Sequence, residues 1–439
     1  MENDTIIALA TPSGSSALAL LRISGSLSHS IVATLSSKPP QIGQTVYTIL
    51  RSGTHTIDDV ILNTWSLPKS YTGEDLVEIS CHGNMLIVQR LIEEICLLGA
   101  RLAQPGEFTQ RAFLNGKMDL TQAEAVIDLI NARTDRALRA ARTLQSGALG
   151  EKLESERENL LQVLAHLEAY IDFPEEAIDP EVGLSFELKI NATLKTIQNL
   201  LLSSREGQLL RNGLRVALVG HPNAGKSSLM NALLEKNRSI VSPHAGTTRD
   251  TVEESIQLDG IHVHLIDTAG LRSSQDEIEQ LGIARTQLAI SEADLILWVI
   301  DSSIPETPLD STPFPAHTPL LRCYNKSDLN STQQNPNLSV SCKNGDGIPE
   351  LRHAMSLALQ LNSSAASLDE VIINTRHQHH LLLAQTALQQ ALHLKQTQQA
   401  PELISSDLRQ ALHAIGEIVG QVTNEDILDR LFKNFCIGK

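Results

Sequence analysis

The sequence predicts a multidomain protein: an α+β N-terminal domain, an all-α helical domain in two sequence halves, and an α/β domain inserted between those halves. Three observations lead to this prediction. Short apolar strands alternate with turns over residues 1–117, helical periodicity dominates residues 118–212 and returns over residues 363–439, and strands that end in polar loops fill residues 213–362. The two helical halves can bury their apolar stripes against one another, although two separate bundles would also fit the pattern. A length of 439 residues is enough for two or three domains.

The N-terminal region alternates between the two periodicities of regular secondary structure. Three apolar segments are strand candidates, namely Thr5–Ala10, Ala17–Ile23 and Asp59–Trp65. The segment Ile87–Leu98 has the spacing of a helix. Strands and helices mixed in this way predict an α+β domain over residues 1–117.

The helical halves are marked by a helix start signal and by apolar stripes. Thr121-Gln122-Ala123-Glu124 fits the capping-box pattern, in which the first and fourth residues bond each other's backbone N–H groups. Apolar residues then recur every three or four positions, as on one face of a helix. These stripes consist of Ala123, Val126, Ile127 and Ile130; Leu160, Leu164, Leu167 and Ile171; and Leu408, Leu412, Ile415, Val419 and Val422.

The inserted region opens with a phosphate-binding loop. The eight residues from Gly220 to Ser227 fit G-x-x-x-x-G-K-[ST], between an apolar strand and an apolar helix. The glycines let backbone N–H groups curl round phosphates, and the following helix directs its positive N-terminus at them. Lys226 would neutralise the β- and γ-phosphates, and the Ser227 hydroxyl would ligate Mg²⁺. The other predicted nucleotide contacts in this segment are Asn223, Ala224, Gly225 and Ser228.

The second motif of the inserted region is D-x-x-G. The alternating segment Ile261–Leu265 predicts a half-exposed strand, and it leads into Asp267-Thr268-Ala269-Gly270. Asp267 would hold the Mg²⁺ shell, and the Gly270 N–H would sense the γ-phosphate. Thr268 and Ala269 belong to the same predicted nucleotide contact.

The third and fourth motifs recognise a base. The apolar run Leu295–Ile300 predicts a buried parallel strand, and the next strand ends in Asn325-Lys326-Ser327-Asp328, an N-K-x-D pattern. The Asp328 carboxylate can accept from both N1–H and the 2-amino group of guanine, which adenine does not offer. A last predicted strand, Leu338–Val340, leads to Ser341-Cys342-Lys343, the usual loop behind the base. Four motifs in this order, at the ends of apolar strands, identify a Ras-like GTPase domain.

Between the first two motifs lies a predicted switch. Gly246-Thr247-Thr248-Arg249-Asp250 resembles the switch of translation-factor-related GTPases, and Thr248 would reach Mg²⁺ when a γ-phosphate is present. Leu271 stands where Ras-type proteins carry a water-orienting glutamine, so another residue must perform that role. In related G proteins an asparagine at Asn223 accompanies a bound K⁺ that acts like an arginine finger; otherwise Asn223 is an ordinary loop residue. The predicted K⁺ ligands are Asn223, Ser242, His244 and Thr247, and the predicted GTP contacts of this segment are Ser242, Pro243, His244, Ala245, Gly246, Thr247 and Thr248.

Composition limits the function classes. The net charge is −16, so a protein that binds RNA mainly through phosphates is not expected, and any nucleic-acid contact must use a local patch or a partner. The five cysteines show no C-x-x-C spacing, which suggests reduced thiols in a cytosolic protein without a zinc site. No apolar run approaches the length of a membrane span. The acidic start Met1–Asp4 argues against a signal or transit peptide, so a cytoplasmic location is expected.

The order of these parts closely resembles one family across essentially the whole chain: the MnmE (TrmE) family of tRNA modification GTPases. Beyond the GTPase motifs, five segments carry the resemblance. They are Leu21–Gly25, Tyr71–Asp75, Pro105–Thr109, Arg111–Lys117 and the ending Cys436-Ile437-Gly438-Lys439.

The resemblance implies a partner, a cofactor and a reaction. Family members work with the flavoprotein MnmG, which alone carries FAD, and install aminomethyl or carboxymethylaminomethyl groups at C5 of the wobble uridine of certain tRNAs. The N-terminal domain would bind a 5-formyl- or methylene-tetrahydrofolate and would make the protein a homodimer. The folate-contact positions of the family fall on Arg22, Glu78, Lys117 and Lys439. A carboxylate such as Glu78 suits the amide-like edge of a pterin, and basic groups suit the glutamate tail.

Two further residues receive roles from the resemblance. The family's water-orienting glutamate matches Glu279, which could instead be a solvated charge on a helix face. The G domains of the family dimerise across the nucleotide when K⁺ and GTP are present.

Cys436 is either a nucleophile that adds to C6 of the uridine or a structural residue of the folate pocket. Lipidation of Cys436 is disfavoured because Lys439 is a poor final residue for a prenylation box.

Two other functional interpretations remain open. A ribosome-assembly or RNA-chaperone GTPase would share the loop with Asn223, but such proteins usually add a basic C-terminal RNA module. The C-terminal region here has no basic cluster and no G-x-x-G clamp. Alternatively, the N-terminal region is purely a dimerisation module, and folate binding by the isolated protein would separate that interpretation from the first.

Overall fold

The computed structural model describes most of the chain. The described residues are 4–173, 182–235, 254–267, 287–304, 314–315, 318–329, 338–361, 371–421, 428, 431–433 and 435–438, with only the backbone described at 182–185 and 235. The chain divides into two compact units. The first contains Met1–Ile127, Thr143–Gln198 and Arg376–Lys439, and the second contains Asp128–Arg142 and Asn199–Thr375.

The first unit contains a six-stranded sheet in the order β3-β4-β5-β2-β1-β6. Neighbouring strands are antiparallel, except that β1 and β6 run parallel. The predicted strands and helix of residues 1–117 are confirmed, and the bounds of the elements follow. They are β1 Thr5–Leu9, β2 Leu18–Ser24, α1 Ser28–Leu35, β3 Thr45–Ser52, β4 His55–Trp65, β5 Leu76–His82, α2 Met85–Leu97, β6 Ala100–Leu102 and α3 Glu107–Leu114.

Each strand of this sheet presents alternate residues to two different environments. Leu21 and Ile23 of β2 belong to the core that α1 and α2 cover, and both are fully buried. Successive side chains on a strand point to opposite faces, so Arg22 lies on the other face. That second face carries a smaller cluster in which Ile6 packs with Phe108 of α3. The alternation therefore places one basic residue among apolar neighbours on the face opposite α1 and α2.

The two helical halves pack against each other, which confirms one helical domain rather than two bundles. The helix Ala148–Asp172 (α6) packs along the helix Pro401–Val419 (α12), and Glu168 Oε1 accepts a hydrogen bond from Arg409 Nη2 at 2.7 Å. Leu408 and Ile415 of the predicted stripe are fully buried. The helices before and after the inserted region are α4 Leu120–Asn131, α5 Asp135–Gln145, α6 Ala148–Asp172, α7 Val182–Leu202, α8 Ser204–Asn212, α11 Thr375–Gln396 and α12 Pro401–Val419.

The predicted capping box at Thr121–Glu124 is wrong by two residues. Asp119 Oδ1 accepts from the Gln122 backbone N–H at 2.9 Å, and Gln122 Oε1 accepts from the Asp119 N–H at 2.9 Å. This reciprocal pair has the geometry of a capping box. Aspartate caps helices as well as threonine does. The helix therefore begins at Leu120, and Glu124 has a different role.

Glu124 is the centre of a buried ion-pair cluster that joins the helical halves. Its Oε1 accepts from Arg376 Nε at 2.6 Å, and its Oε2 lies 2.7 Å from His377 Nε2, both at the start of α11. Burial alone would raise the pKa of Glu124, but the charges of His377 and Arg376 hold it well below its ordinary value. Arg376 also donates to the Glu417 and Ile418 carbonyls near the end of α12. One arginine therefore connects α4, α11 and α12.

The second unit contains a five-stranded sheet in the order β11-β10-β7-β9-β8. All pairs are parallel except β8 with β9. The prediction of a strand at Leu338–Val340 is wrong. This segment forms only a single bridge, between Ser339 and Tyr324, because the chain turns again where the Ser341 N–H donates to the Asp346 carbonyl. The elements are β7 Leu214–Val219, α9 Lys226–Glu235, β8 Glu254–Leu258, β9 Ile261–Asp267, β10 Leu295–Asp301, β11 Leu320–Asn325 and α10 Ile348–Ala358.

The strand order gives this sheet a topological switch point. After β7 the chain forms β8 and β9 on one side, and it then forms β10 and β11 on the other side. In open α/β sheets, ligands bind outside the carboxyl ends of the strands at such a point. The loop that follows β7 therefore lies where this architecture binds ligands.

The compact units do not follow the predicted boundary at residue 212, because α8 packs on β9 of the second sheet; the four predicted domain ranges remain predictions. Among the helices in the described ranges, none combines the length and apolar character that a membrane crossing requires.

The Glu124 cluster generates a stability prediction. Glu124→Gln should cost about 3–5 kcal/mol, because removing one partner of a buried ion pair leaves the other charges uncompensated. The midpoint of the thermal transition of the helical domain should fall, as measured by calorimetry at neutral pH. Glu158→Gln on the exposed face of α6 is the matched control. Equal midpoints for the two variants would contradict the role of the cluster.

The same cluster fixes a pH dependence. A lowered carboxyl pKa contributes stability that is present above the ordinary value of 4.5 and is lost as the pH falls through the lowered pKa. The difference in midpoint between the wild type and Glu124→Gln should therefore be full at neutral pH, and it should shrink progressively as the pH falls below 4.5.

Candidate functional site

The loop between β7 and α9 wraps around the side chain of Lys226. The Lys226 ammonium donates to the Gly220 carbonyl at 2.8 Å and to the His221 carbonyl at 3.0 Å. Lys226 is only 6% exposed. Asn223 and Gly225 adopt left-handed backbone conformations, with φ of +65° and +92°, which asparagine and glycine tolerate best. The loop therefore holds the buried ammonium of Lys226 at the edge of the sheet where this architecture binds ligands.

Asn325 connects this loop to the predicted base-recognition motif. Its side-chain amide donates from Nδ2 to the Ala224 carbonyl at 2.9 Å, and its Oδ1 accepts from Cys342 Sγ at 3.1 Å. A Cβ at Gly225 would collide with Asn325 Nδ2, so the glycine is required there for close approach as well as for its backbone angle. Three of the four predicted motifs are thus linked through one amide.

Asp328 and Lys326 are each oriented by a side chain from another segment of the chain. Ser341 Oγ donates to Asp328 Oδ1 at 2.8 Å. Lys326 Nζ donates to Asp301 Oδ2 at 2.6 Å, at the end of β10. Burial raises the pKa of Asp301, but the hydrogen bonds from Lys326 and Ser303 outweigh it, so the pKa lies below its ordinary value. An ionised Asp301 fixes the lysine, and the exposed Asp328 keeps a carboxylate oxygen for a base.

The predicted Mg²⁺ residues of the loop and of the D-x-x-G motif lie together. Ser227 Oγ donates to Asp267 Oδ2 at 2.8 Å, because the parallel pairing of β7 and β9 places Asp267 opposite Leu218. No cluster of three or more His, Cys, Asp or Glu side chains in the described ranges could hold a metal by itself. Mg²⁺ usually takes one or two protein oxygens and completes its shell with substrate phosphates and water. A hydroxyl beside a carboxylate fits that ion.

Cys342 acts in this site as a neutral thiol. Burial raises the pKa of Cys342 to about 11, although its hydrogen bond to Asn325 works in the opposite direction. Burial also raises the pKa of the neighbouring Cys323 to about 12. Cys342 therefore remains protonated near neutral pH and donates its S–H to the Asn325 side chain.

Arg22 and Glu78, two of the predicted folate residues, lie together in the first unit and define a second candidate site there. Arg22 donates from Nη2 to Glu78 Oε1 at 2.7 Å, and the two side chains are 12% and 18% exposed. The guanidinium lies 5.1 Å from the ring centroid of Tyr71 and 5.7 Å from that of Phe108. Lys117 Nζ donates to the Pro68 carbonyl at 3.0 Å, in the segment that leads to Tyr71. Arg22 and Glu78 are therefore one ion pair rather than two separate ligands.

The chain end completes this second site. Arg22 Nη1 donates to the Gly438 carbonyl at 3.3 Å, and the Gly106 N–H donates to the Cys436 carbonyl at 3.4 Å. A Cβ at Gly438 would lie 2.5 Å from the Leu9 carbonyl oxygen. Only glycine lets the tail approach β1 this closely. Cys436 itself is exposed.

Some predicted residues lie outside the described residues, and their positions stay predictions. These are Ser242, Pro243, His244, Ala245, Gly246, Thr247, Thr248, Thr268, Ala269, Gly270, Glu279 and Lys439. Sequence reasoning also missed residues that the structure brings to the sites. Asp301 is one, and its position at the end of the most apolar strand was the signal that could have identified it. No comparable pattern in the sequence predicts the contact of Gly438 with β1.

The contact between Gly225 and Asn325 generates a prediction for nucleotide binding. Gly225→Ala should weaken binding of a fluorescent guanine nucleotide by roughly a hundredfold, since a strained backbone and a displaced Asn325 together cost about 3 kcal/mol. Gly345→Ala is the control, because Gly345 has a similar φ of +81° but nothing within 4 Å of its Cβ position. An equal loss in both variants would show that backbone strain alone matters and that the Asn325 contact does not.

Comparisons with known proteins agree with this geometry. The family description "GTP-binding protein TrmE N-terminus" matches residues 5–117, and "MnmE helical domain" matches residues 120–436. The chain is 44% identical to the tRNA modification GTPase MnmE of Akkermansia muciniphila, and the match covers 99% of both proteins. It is 42% identical to the proteins of the same name from Moorella thermoacetica, with 100% of both chains covered, and from Opitutus terrae, with 99% of both covered. The chain therefore belongs to the MnmE family of tRNA modification GTPases.

Proposed function

We propose that this protein hydrolyses GTP to GDP and phosphate at the carboxyl edge of the second sheet. One observation carries the proposal: Asn325 hydrogen-bonds the phosphate-binding loop at Ala224, so base-recognising and phosphate-binding residues share one edge. The Lys226 ammonium and the pair Ser227–Asp267 lie at the same edge. The relatives named above are tRNA modification GTPases, which supports the same chemistry here.

The residues of this edge have distinct roles in the reaction. A water oxygen forms a bond to the γ-phosphorus, and the bond from that phosphorus to the oxygen shared with the β-phosphate breaks. Lys226 would exchange its loop carbonyls for phosphate oxygens and offset the charge that develops on them. Mg²⁺ supplies further positive charge when bound, with Ser227 and Thr248 as protein ligands and Asp267 behind them. Glu279 would orient the water, because Leu271 cannot hydrogen-bond to it.

We propose that hydrolysis serves the modification of tRNA. With the flavoprotein MnmG, the protein would form the aminomethyl or carboxymethylaminomethyl group at C5 of the wobble uridine of certain tRNAs. Switching of the G domains between separate and associated states would follow the nucleotide, and the N-terminal domains would hold a homodimer within a larger complex. The full-length relationship to tRNA modification GTPases supports this assignment.

The second site is proposed to bind a tetrahydrofolate derivative, which would supply the one-carbon unit. The residues fit such a group, because Glu78 offers a carboxylate to an amide-like edge and Tyr71 offers an aromatic face beside it. Both hydrogen bonds that Glu78 accepts from Arg22 go to Oε1, and no described residue bonds the other oxygen of Glu78. Lys117 and Lys439 would face the glutamate tail. Cys436 belongs to the tail that Arg22 and Gly106 hold in place, whether it acts as a nucleophile or as a structural residue.

The base-recognition step has a sharp test. Asp328→Asn should shift the preference from guanine to xanthine nucleotides, because an amide can donate to the C2 carbonyl of xanthine where the carboxylate accepts from the guanine amino group. Competition of GTP and XTP for a fluorescent nucleotide measures the shift, which should exceed about a hundredfold in the affinity ratio. Asp346→Asn, an exposed aspartate of the same region, is the control. Unchanged guanine preference in Asp328→Asn would overturn the assignment of the base site.

The proposed K⁺ site has a separate test. GTP turnover at matched ionic strength should be at least roughly a hundredfold faster in K⁺ than in Na⁺, the scale of losing one preorganised electrostatic group. Asn223→Gly should abolish the difference, since glycine tolerates the φ of +65° but offers no side-chain oxygen. Equal wild-type rates in the two salts would remove the K⁺ mechanism and leave the GTPase assignment intact.

A further inference from the structure

One helix of this acidic chain carries a basic stripe. Arg136, Arg139 and Arg142 lie at every third position of α5, Arg133 continues the same spacing just before the helix begins, and Asp135 is the only carboxylate within α5. The whole chain has 51 acidic residues against 35 basic ones. The stripe is therefore a local reversal of the charge of the molecule.

Arg139, in the second half of the stripe, faces away from the part of α5 that packs. Thr134 caps the helix by accepting from the Ala137 N–H at 3.1 Å, and Ala137 and Ala141 are buried, at 8% and 2% exposure. Helix positions advance by about 100° each, so Arg139 lies roughly opposite these alanines. Ala137 belongs to the core of the second sheet, which fixes the orientation of the helix.

Two of the four arginines have structural partners, and two do not. Arg136 forms an ion pair with the buried Glu206 of α8, and Arg133 Nη1 lies 3.1 Å from His262 Nε2. Arg139 and Arg142 are exposed, and nothing in the described part of the chain forms a hydrogen bond or ion pair with either guanidinium. Structural reasons therefore account for the first half of the stripe only.

We propose that Arg139 and Arg142 bind the phosphodiester backbone of RNA. The guanidinium fork matches a phosphate with two parallel hydrogen bonds. The two residues are separated by about 4.5 Å along the helix axis, so their guanidinium groups can contact phosphates of one strand. This inference rests on the proposed action on tRNA, which supplies the RNA, and it names a local patch through which an acidic protein can hold a polyanion. Phosphate contacts of this kind position the RNA without reading its sequence.

The test compares three forms of the full-length protein. Fluorescence anisotropy with a labelled, unmodified tRNA transcript gives the Kd over a series of KCl concentrations for the wild type, Arg139→Gln/Arg142→Gln and Arg51→Gln/Arg90→Gln. The control pair removes the same charge from exposed positions on β3 and α2 of the first unit. Losing two phosphate contacts should weaken binding roughly tenfold and lower the slope of log K against log salt by about 1.4 to 1.8. The control should bind as the wild type does.

Several results would overturn the proposal. They are unchanged binding by Arg139→Gln/Arg142→Gln, an equal loss in the control pair, and no tRNA binding by the wild type. Wild-type binding to phosphatidylglycerol vesicles but not to tRNA would assign the stripe to a lipid surface instead. GTP turnover of all three forms is measured in parallel and should be equal. Absent turnover with intact, stripe-dependent RNA binding would count against the proposed GTPase function and not against the stripe.

Discussion

The parallel pairing of β7 with both β9 and β10 is the constraint on which the nucleotide site depends. Because these strands run in the same direction, their carboxyl ends meet at one edge, and groups from three distant segments become neighbours there. Ser227 then reaches Asp267, and Asn325 reaches the Ala224 carbonyl. No one of these loops could form the site alone, since each supplies either a cation, a carboxylate or an amide. The buried strand β10 serves as the rigid support from which Asp301 holds Lys326.

Much of this edge could be predicted from the sequence, because its motifs are local. The spacing of Lys226 from Gly220 and of Asp328 from Asn325 reflects short loops whose geometry is nearly independent of the rest of the chain. Asp301 could not be assigned in the same way, because its partner Lys326 directly follows the neighbouring strand β11 and only the register of β10 with β11 brings them together. The docking of Gly438 on β1 depends on a contact between the two ends of the chain, which no local pattern encodes.

The helical domain shows the same division between local and distant information. Apolar stripes predicted its helices, and Leu408 and Ile415 are buried as the periodicity indicated. The start of α4 was misplaced because Thr121–Glu124 and Asp119–Gln122 both satisfy a capping pattern, and only the tertiary role of Glu124 separates them. Once Glu124 is committed to Arg376 and His377, it cannot also bond the backbone of Thr121. The buried ion pair therefore determines which of the two capping patterns forms, and helix propensity alone does not determine this.

The ion pair between Glu124 and Arg376 also sets an order of events during synthesis. The two residues are 252 positions apart in the chain. At about 5–20 residues per second, a ribosome needs on the order of 10 to 50 s to travel from one to the other. All residues of the second unit, up to Thr375, emerge before Arg376 does. The sheet with the nucleotide site can thus fold while Glu124 is still hydrated. At that stage α12 does not yet cover the apolar stripe of α6, so the first helical half is exposed to aggregation and to capture by chaperones.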